Sequence, residues 1–417
     1  MKLATVAVFW SLILSPYAQA KRILILSADG GHRPSALGVA GALKRIDRNL
    51  QVDIVDMLDD QPKAVESFFF IVRTSEVLSY LGHKLFAYLL KGVNSLNLAI
   101  IPINSTKYIE NKEFLSKYDL VLLNYAPMQQ VSSAVCRELG IPFMVIPPDL
   151  GEPCRDFWIR RSPDTIYLLG SKYLRQSASD HPNVAPISGM VLRPEFRHIR
   201  DTSKRDMKIR LGLDPDKKMV LVLFGSAGSD AMLDIAKIVQ KDKSRQYIFI
   251  CASYKELKTK IDELKQSHFK AEGYINNVHE YMRAADVFIG KPGPGCVSEC
   301  IQCETPVILK YSLPWETMPQ EVPTIWYVKE NKLGIVIKRY SDILQAINQL
   351  ILNPPSHFPH NNAADQCATT IVHILRNREK VKSRLYQFRS QPQRQLLQAR
   401  ESGLNYFHLP LHLPKLT

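Results

Sequence analysis

"KMVLVLFGSAGSDAMLDIAKIV" (residues 218–239) decides the fold class. Met219–Phe224 is an uninterrupted apolar run of strand length. Gly225-Ser226-Ala227-Gly228-Ser229 is a turn, and the residues after it repeat apolar side chains at helical spacing. A strand with no polar face is buried on both sides, the condition of a parallel sheet sandwiched by helices. The same unit opens the chain. "RILILS" (22–27) reads as a strand and "PSALGVAGALKRI" (34–46) as a helix, with Pro34 suited to its first turn. "QVDIVDM" (51–57), "YDLVLLNY" (118–125), "PFMVIPP" (142–148) and "TIYLLG" (165–170) continue the first series. "YIFICAS" (247–253), "DVFIG" (286–290), "TPVILKY" (305–311) and "GIVIK" (334–338) continue the second.

Two such series in 417 residues predict two doubly wound α/β domains. The polar, basic stretch from Ser188 to Leu213 has little periodicity and is the expected linker, with the joint near residue 195. Two domains of this kind place a cleft between the carboxyl ends of both sheets, where such folds bind ligands. Residues 361–388 read as helical, and the tail after Ser390 has no clear element.

A content of 46% hydrophobic and 23% charged residues is that of a globular chain and excludes disorder. The net charge of +14 points to an anionic partner: nucleic acid, a phosphorylated ligand or an acidic membrane surface. Zinc-finger spacing and the aromatic–basic signature of an RNA-binding sheet are both missing, so nucleic acid is not expected. The seven cysteines are odd in number and form no disulfide framework. Cys296, Cys300 and Cys303 share one helical face and read as buried small hydrophobes, not as metal ligands. Free thiols suit a reducing compartment. The first 20 residues argue the other way: Lys2, an uncharged stretch to Ala20 and the Ala18-Gln19-Ala20 ending have the pattern of a secretory signal. A cleaved signal, a membrane anchor and an upstream extension of a cytosolic protein all fit that segment. Residues 63–100 carry Phe68, Phe69, Phe70, Leu85, Phe86, Leu89 and Leu90 among cations, which fits either a helix pair on its own domain or an interfacial membrane helix.

Three glycine turns follow strands and open helices, where backbone N–H groups and the positive end of the helix dipole face a ligand. The first is Asp29-Gly30-Gly31-His32-Arg33. A helix start disfavours imidazolium, so His32 is expected as a neutral base at the mouth of the cleft. The second, Gly225–Ser229, offers hydroxyl and amide donors to phosphate oxygens, without the spacing of a P-loop. The third lies in "DVFIGKPGPGCVSECIQCETPVIL" (286–309), where Gly293 and Gly295 shape the turn and the helix is expected to begin near Cys296. Glu299 would then stand in the first turn, stabilised by the dipole and able to accept both hydroxyls of a ribose cis-diol. Gln320 and Glu321 follow on a loop suited to a sugar's hydroxyls.

"ILILSADGGHRPSA" and "GYINNVHEYMRAADVFIGKPGPGCVSECIQCETPVIL" resemble the monogalactosyldiacylglycerol synthases and processive diacylglycerol glucosyltransferases. More distantly they resemble the bacterial N-acetylglucosaminyltransferase that makes the lipid-linked peptidoglycan precursor. The likeness covers roughly residues 21–340 and includes "SGMVLRPEF" (188–196), "PQEVPTIWYVKENKLG" (319–334) and "DLGEPCRDFW" (149–158). It implies a GT-B fold, two Rossmann-like domains facing a cleft. It also implies an inverting transfer with no cofactor and no metal in the chemical step, a UDP-hexose donor and a lipid acceptor. His32 falls where that family has its general base. Gly225, Ser226 and Gly228 match its diphosphate loop, Ile275 the backbone that reads uracil, and Glu299 the ribose-binding acid. Gly293 and Gly295 belong to the donor turn, and Gln320 and Glu321 match the sugar-contacting pair. Gly30, Gly31, Asp149 and Trp158 match the acceptor side. The first loop has two glycines where synthases often have three, the second is rich in serine, and the usual Gly-Asn after Gln-Glu is missing.

The expected organisation is a signal-like or anchor segment (1–20), an acceptor-binding domain (21–195), a UDP-sugar-binding domain (196–355), a helical segment (356–390) and a tail (391–417). The expected function is transfer of a hexose from a UDP-sugar to a diacylglycerol-type lipid at an anionic membrane surface. Membrane association on the cytoplasmic face is expected, with export through the N-terminal segment as the alternative. A UDP-sugar 2-epimerase and a nucleotide-sugar-binding protein without turnover are the other readings of the same scaffold.

Overall fold

The computed structural model describes residues 20–28, 31–57, 112–153, 156–160, 162–311, 317–381 and 383. Gly30, the signal-like segment up to residue 19, the apolar stretch 63–100 and the tail 391–417 lie outside the described residues. Twelve described strands form two six-stranded sheets. The first holds β1 (Arg22–Ser27), β2 (Gln51–Asp56), β3 (Leu120–Leu123), β4 (Phe143–Val145), β5 (Thr165–Leu169) and β6 (Val184–Pro186), in the order β2-β1-β3-β4-β5-β6. The second holds β7 (Lys218–Val222), β8 (Arg245–Ile250), β9 (Phe269–Glu272), β10 (Val287–Gly290), β11 (Val307–Lys310) and β12 (Gly334–Ile337), in the order β12-β11-β10-β7-β8-β9. Every pairing is parallel. Strand order reverses at β1/β3 and at β7/β10, and these switch points open the crevices that bind ligands in doubly wound sheets.

The apolar runs explain the layers. Ile23 and Ile25 of β1 enter the core on one face of the first sheet, Leu24 and Leu26 the core on the other. Met219 and Leu221 of β7 divide from Val220 and Val222 in the same way. Alternate side chains point to opposite faces, so both faces must be covered. The helix Arg33–Ile46 covers one face of the first sheet together with the helix Ala363–Arg376. That second helix comes from beyond the second domain: Ala363, Cys367, Ala368 and Ile371 return to the first domain's core. Asp365 accepts from Arg45 at 2.7 Å and from Arg197 at 3.0 Å, which ties the returning helix to both domains' borders.

The stretch expected as the linker packs against the second domain. Leu192, Phe196, Ile199 and Met207 enter the second domain's core, and Lys204–Arg210 is a helix. Its basic residues are used inward. Arg200 donates to the Gln302 carbonyl at 2.9 Å, and Lys208 pairs with Asp286 at 2.7 Å. Gly38 marks where the first helix meets this crossing chain. A Cβ there would run into the Leu192 carbonyl oxygen and Val191. Gly38→Ala is expected to lower stability by about 1–3 kcal/mol, read by thermal or urea unfolding, since neither backbone can move aside without cost.

Candidate active site

The functional side chains stand just beyond the carboxyl ends of the strands, in both domains. On the first domain, His32 is the cap of the helix Arg33–Ile46, in a helical backbone conformation. Its Nδ1 donates to the Asn124 carbonyl at 2.7 Å, and the Asn124 side-chain amide donates back to the His32 carbonyl at 2.8 Å. A carbonyl only accepts, so the neutral ring carries its proton on Nδ1 and presents the Nε2 lone pair. Tyr125 meets the ring edge-on at 5.5 Å and Trp158 lies tilted at 6.3 Å. Burial holds the imidazole's pKa below its ordinary value, against the Asn124 hydrogen bond, which acts to raise it. The ring is therefore a base at neutral pH. Gly31 is exposed, and nothing crowds the space beside its Cα.

Trp158, whose ring lies 6.3 Å from the imidazole, links this histidine to Asp149. The Trp158 indole N–H donates to Asp149 Oδ2 at 2.8 Å, and the Trp158 backbone N–H donates to Glu152 at 3.0 Å. The Trp158 side chain is wholly buried. Burial pushes the Asp149 carboxyl up to about 7. The indole hydrogen bond opposes that shift, and the charge of Glu321 on the second domain reinforces it. A Cβ on Gly151 would stand 2.5 Å from Pro323 Cγ, which places the two domains' loops against each other.

On the second domain, Gly225 and Gly228 have φ of +78° and +69°, which only glycine adopts without strain in such a turn. The Ser226 carbonyl accepts from the Ser253 N–H at 3.3 Å and from its hydroxyl at 3.0 Å. The turn is thereby pinned to the loop after β8 while Ser226 itself stays exposed. Gly293 caps the helix Pro294–Gln302, with Gly295 inside its first turn. This corrects the expected start near Cys296. Pro294, at the first helical position, begins the helix earlier, because it brings a pre-set φ and no N–H to satisfy.

Glu299 consequently sits in the second turn, where the helix dipole no longer holds it. Its partner is instead Arg193 of the crossing segment. Nε and one terminal nitrogen of the guanidinium both lie 3.1 Å from Glu299 Oε1. Burial raises the Glu299 carboxyl's pKa, and Arg193 pulls it back. Both nitrogens approach Oε1, and Oε2 has no part in this pair. Cys300 and Cys303 are fully buried and Cys296 is half-buried; all three are free thiols pushed up by burial, as the hydrophobic reading of this face expected.

Glu321 closes the short helical turn Pro319–Glu321. Its Oε2 accepts from the Met318 N–H at 3.0 Å, and its Oε1 lies 3.4 Å from Lys291 Nζ. Gln320 leans on the Met318 sulfur at 3.4 Å, and its Oε1 is buried without a protein partner. Ile275 is half-buried against the second domain's core, beside the exposed Tyr274. The structure therefore gathers Gly225, Ser226, Gly228, Gly293, Gly295, Glu299, Gln320 and Glu321 beyond the carboxyl ends of β7, β10 and β11. It sets His32, Asp149 and Trp158 beyond those of β1 and β4. Asn124, Arg193 and Lys291 were not anticipated as functional. Asn124 had a visible signal, a polar residue ending an apolar strand beside the switch point.

Two doubly wound sheets whose ligand ends carry these loops define a GT-B fold. Residues 219–316 match the Glycosyltransferase family 28 C-terminal domain. A processive diacylglycerol beta-glucosyltransferase of Bacillus pumilus (strain SAFR-032) is 27% identical over 201 residues, 46% of this chain and 51% of that protein. A probable monogalactosyldiacylglycerol synthase 3, chloroplastic, of Oryza sativa subsp. japonica is 25% identical over 343 residues, 77% of this chain and 66% of that protein. The chain thus spans about half to two thirds of the length of these relatives. Among solved structures, the glycosyltransferase SnogD from Streptomyces nogalater superposes with a TM-score of 0.56 at 13% identity, covering 86% of this chain and 100% of that one. Acinetobacter baumannii MurG superposes with a TM-score of 0.50 at 13% identity, covering 86% and 99%.

Proposed function

We propose that this chain is an inverting glycosyltransferase that moves a hexose from a UDP-sugar to the hydroxyl of a diacylglycerol-type lipid. The observation that carries the proposal is the orientation of His32. Its Nδ1 proton is committed to Asn124, so Nε2 is the lone pair available to an acceptor hydroxyl, opposite a domain built to hold a nucleotide. His32 takes the hydroxyl proton as the oxygen attacks the anomeric carbon from the face opposite the diphosphate. UDP leaves against the amides of Gly225–Ser229 and the start of the helix at Pro294. Glu299 takes the ribose hydroxyls, the backbone at Ile275 the uracil, and Gln320 and Glu321 the hexose. The unpartnered Gln320 Oε1 is a buried acceptor that a sugar hydroxyl would satisfy. Gly31 and Asp149 border the acceptor. No metal or cofactor enters the proposed step.

The lipid acceptor rests on the activities of the relatives, a diacylglycerol glucosyltransferase and a monogalactosyldiacylglycerol synthase. The net charge of +14 supports attachment to an anionic leaflet, on the cytoplasmic side where UDP-sugars are made. Among the described residues no helix is long and apolar enough to cross a membrane, which fits peripheral attachment. The test incubates the full chain with each common UDP-hexose, with and without diacylglycerol in anionic vesicles, and reads products by mass spectrometry. A glycolipid formed only when both substrates are present is the expected result. Isomerised UDP-sugar in the absence of lipid would replace the transferase reading with an epimerase.

A further inference from the structure

Three donor-side elements converge on one side chain that neither the motifs nor the family match singled out. Lys291 follows β10 and precedes the cap of the helix Pro294–Gln302. Its Cε lies 3.2 Å from the point where a Cβ on Gly225 would stand, and 3.9 Å from the same point on Gly293. Its Nζ lies 3.4 Å from Glu321 Oε1. One ammonium group is therefore bordered by the glycine turn after β7, the helix start after β10 and the carboxylate after β11.

We propose that Lys291 is the cation that receives the charge of the departing diphosphate. The proposal rests on the transferase reading above and assigns a catalytic residue to it. In the step, the acceptor's O–H proton passes to His32 Nε2 and the acceptor oxygen bonds to the anomeric carbon. The bond from that carbon to the β-phosphate oxygen breaks, and its electron pair stays on the phosphate. The new negative charge appears in the space between Gly225 and Gly293, which Lys291 occupies. Backbone amides supply dipoles there, and Lys291 supplies a full charge aimed at the place where charge develops.

Burial explains the division of labour between Lys291 and Glu321. The Glu321 side chain is 4% exposed and held by the Met318 N–H, whereas that of Lys291 is 44% exposed. The carboxylate is fixed and the ammonium retains an open side for phosphate. Glu321 also keeps the lysine from swinging into solvent. Gly225 belongs to the same arrangement, because a side chain there would push Lys291 out of the turn.

Calorimetry on the full chain with UDP and with uridine tests this, using Lys291→Met and Lys291→Arg. Lys291→Met is expected to weaken UDP binding about tenfold or more while leaving uridine binding unchanged, because loss of a charge-assisted contact affects only the ligand that carries phosphate. Unchanged uridine binding also shows that the variant is folded. Lys291→Arg is expected to recover most of the UDP affinity. In turnover, Lys291→Met is expected to reduce kcat more than it raises KM for the donor, since the phosphate charge grows in the transition state. A Lys291→Met protein with the wild-type ratio of UDP to uridine affinity overturns the proposal and leaves the donor site standing. Wild-type protein that does not bind UDP overturns the transferase reading, and the role of Lys291 with it.

Discussion

Replacing His32 by alanine is expected to cut transfer by roughly 10²- to 10⁴-fold, the ordinary contribution of a positioned general base, and to leave UDP affinity unchanged. The separation follows from the architecture. His32 is fixed to the first sheet through Asn124, while the glycine turns, Glu299 and Glu321 belong to the second. Removing the imidazole deletes the proposed proton acceptor and touches none of the proposed donor-side residues. The pH profile gives an independent check. A base works when neutral, and burial holds the His32 pKa below its ordinary value. The rate should therefore rise with pH through that lowered value and be flat above it. Asp149 complicates the neutral region, because its carboxyl, linked to the ring through Trp158, titrates at about 7. An inflection near 7 that disappears in Asp149→Asn belongs to the aspartate, and the limb that remains belongs to His32. Transfer by His32→Ala at the wild-type rate would remove the histidine from the mechanism.

The fold was legible wherever strands are buried on both faces. β1 and β7 are continuous apolar runs, and a sheet covered on both sides permits little else. The strands that escaped were β6 and β9, which lie at the outer edges of the two sheets. Val184–Pro186 and Phe269–Glu272 each have only one fully buried residue, so they carry no run to detect. In the site, glycine turns followed by helix starts could be read directly, because backbone geometry limits which residues such turns accept. Long-range pairings could not. Nothing local places Arg193 on Glu299 across 106 residues, or Asn124 on His32 across 92. The same holds in the linker, where nothing local shows that Arg200 and Lys208 reach a carbonyl and a carboxylate of the second domain.

The Arg193–Glu299 pair sets the second large effect. The Arg193 Nε–H donates to Glu299 Oε1 at 3.1 Å, and a terminal nitrogen of the same guanidinium lies at the same distance, so the cation is held on that one oxygen. In the proposed reading the ribose hydroxyls fall to Oε2, so Glu299→Ala should weaken UDP by about 10- to 100-fold, the range for hydrogen bonds to a charged group. It should also abolish discrimination between UDP and 2′-deoxy-UDP, measured by calorimetry on both ligands. Arg193→Met should act through the proton. Burial already raises the Glu299 pKa, and without the guanidinium it climbs further. A neutral carboxyl accepts poorly, so UDP affinity in Arg193→Met should fall at acid pH and recover as pH passes through the raised pKa. Stability should run the opposite way. The folded pKa lies above the unfolded one, so the folded state holds its proton more tightly and loses stability as pH rises through that window. Affinity and stability moving in opposite directions with pH is a signature that a purely structural arginine would not produce. Arg193→Lys should flatten both curves, since a cation beside Oε1 keeps the carboxylate ionised. If UDP affinity in Arg193→Met tracks the wild type at every pH, the guanidinium has no part in holding the ribose-binding oxygen.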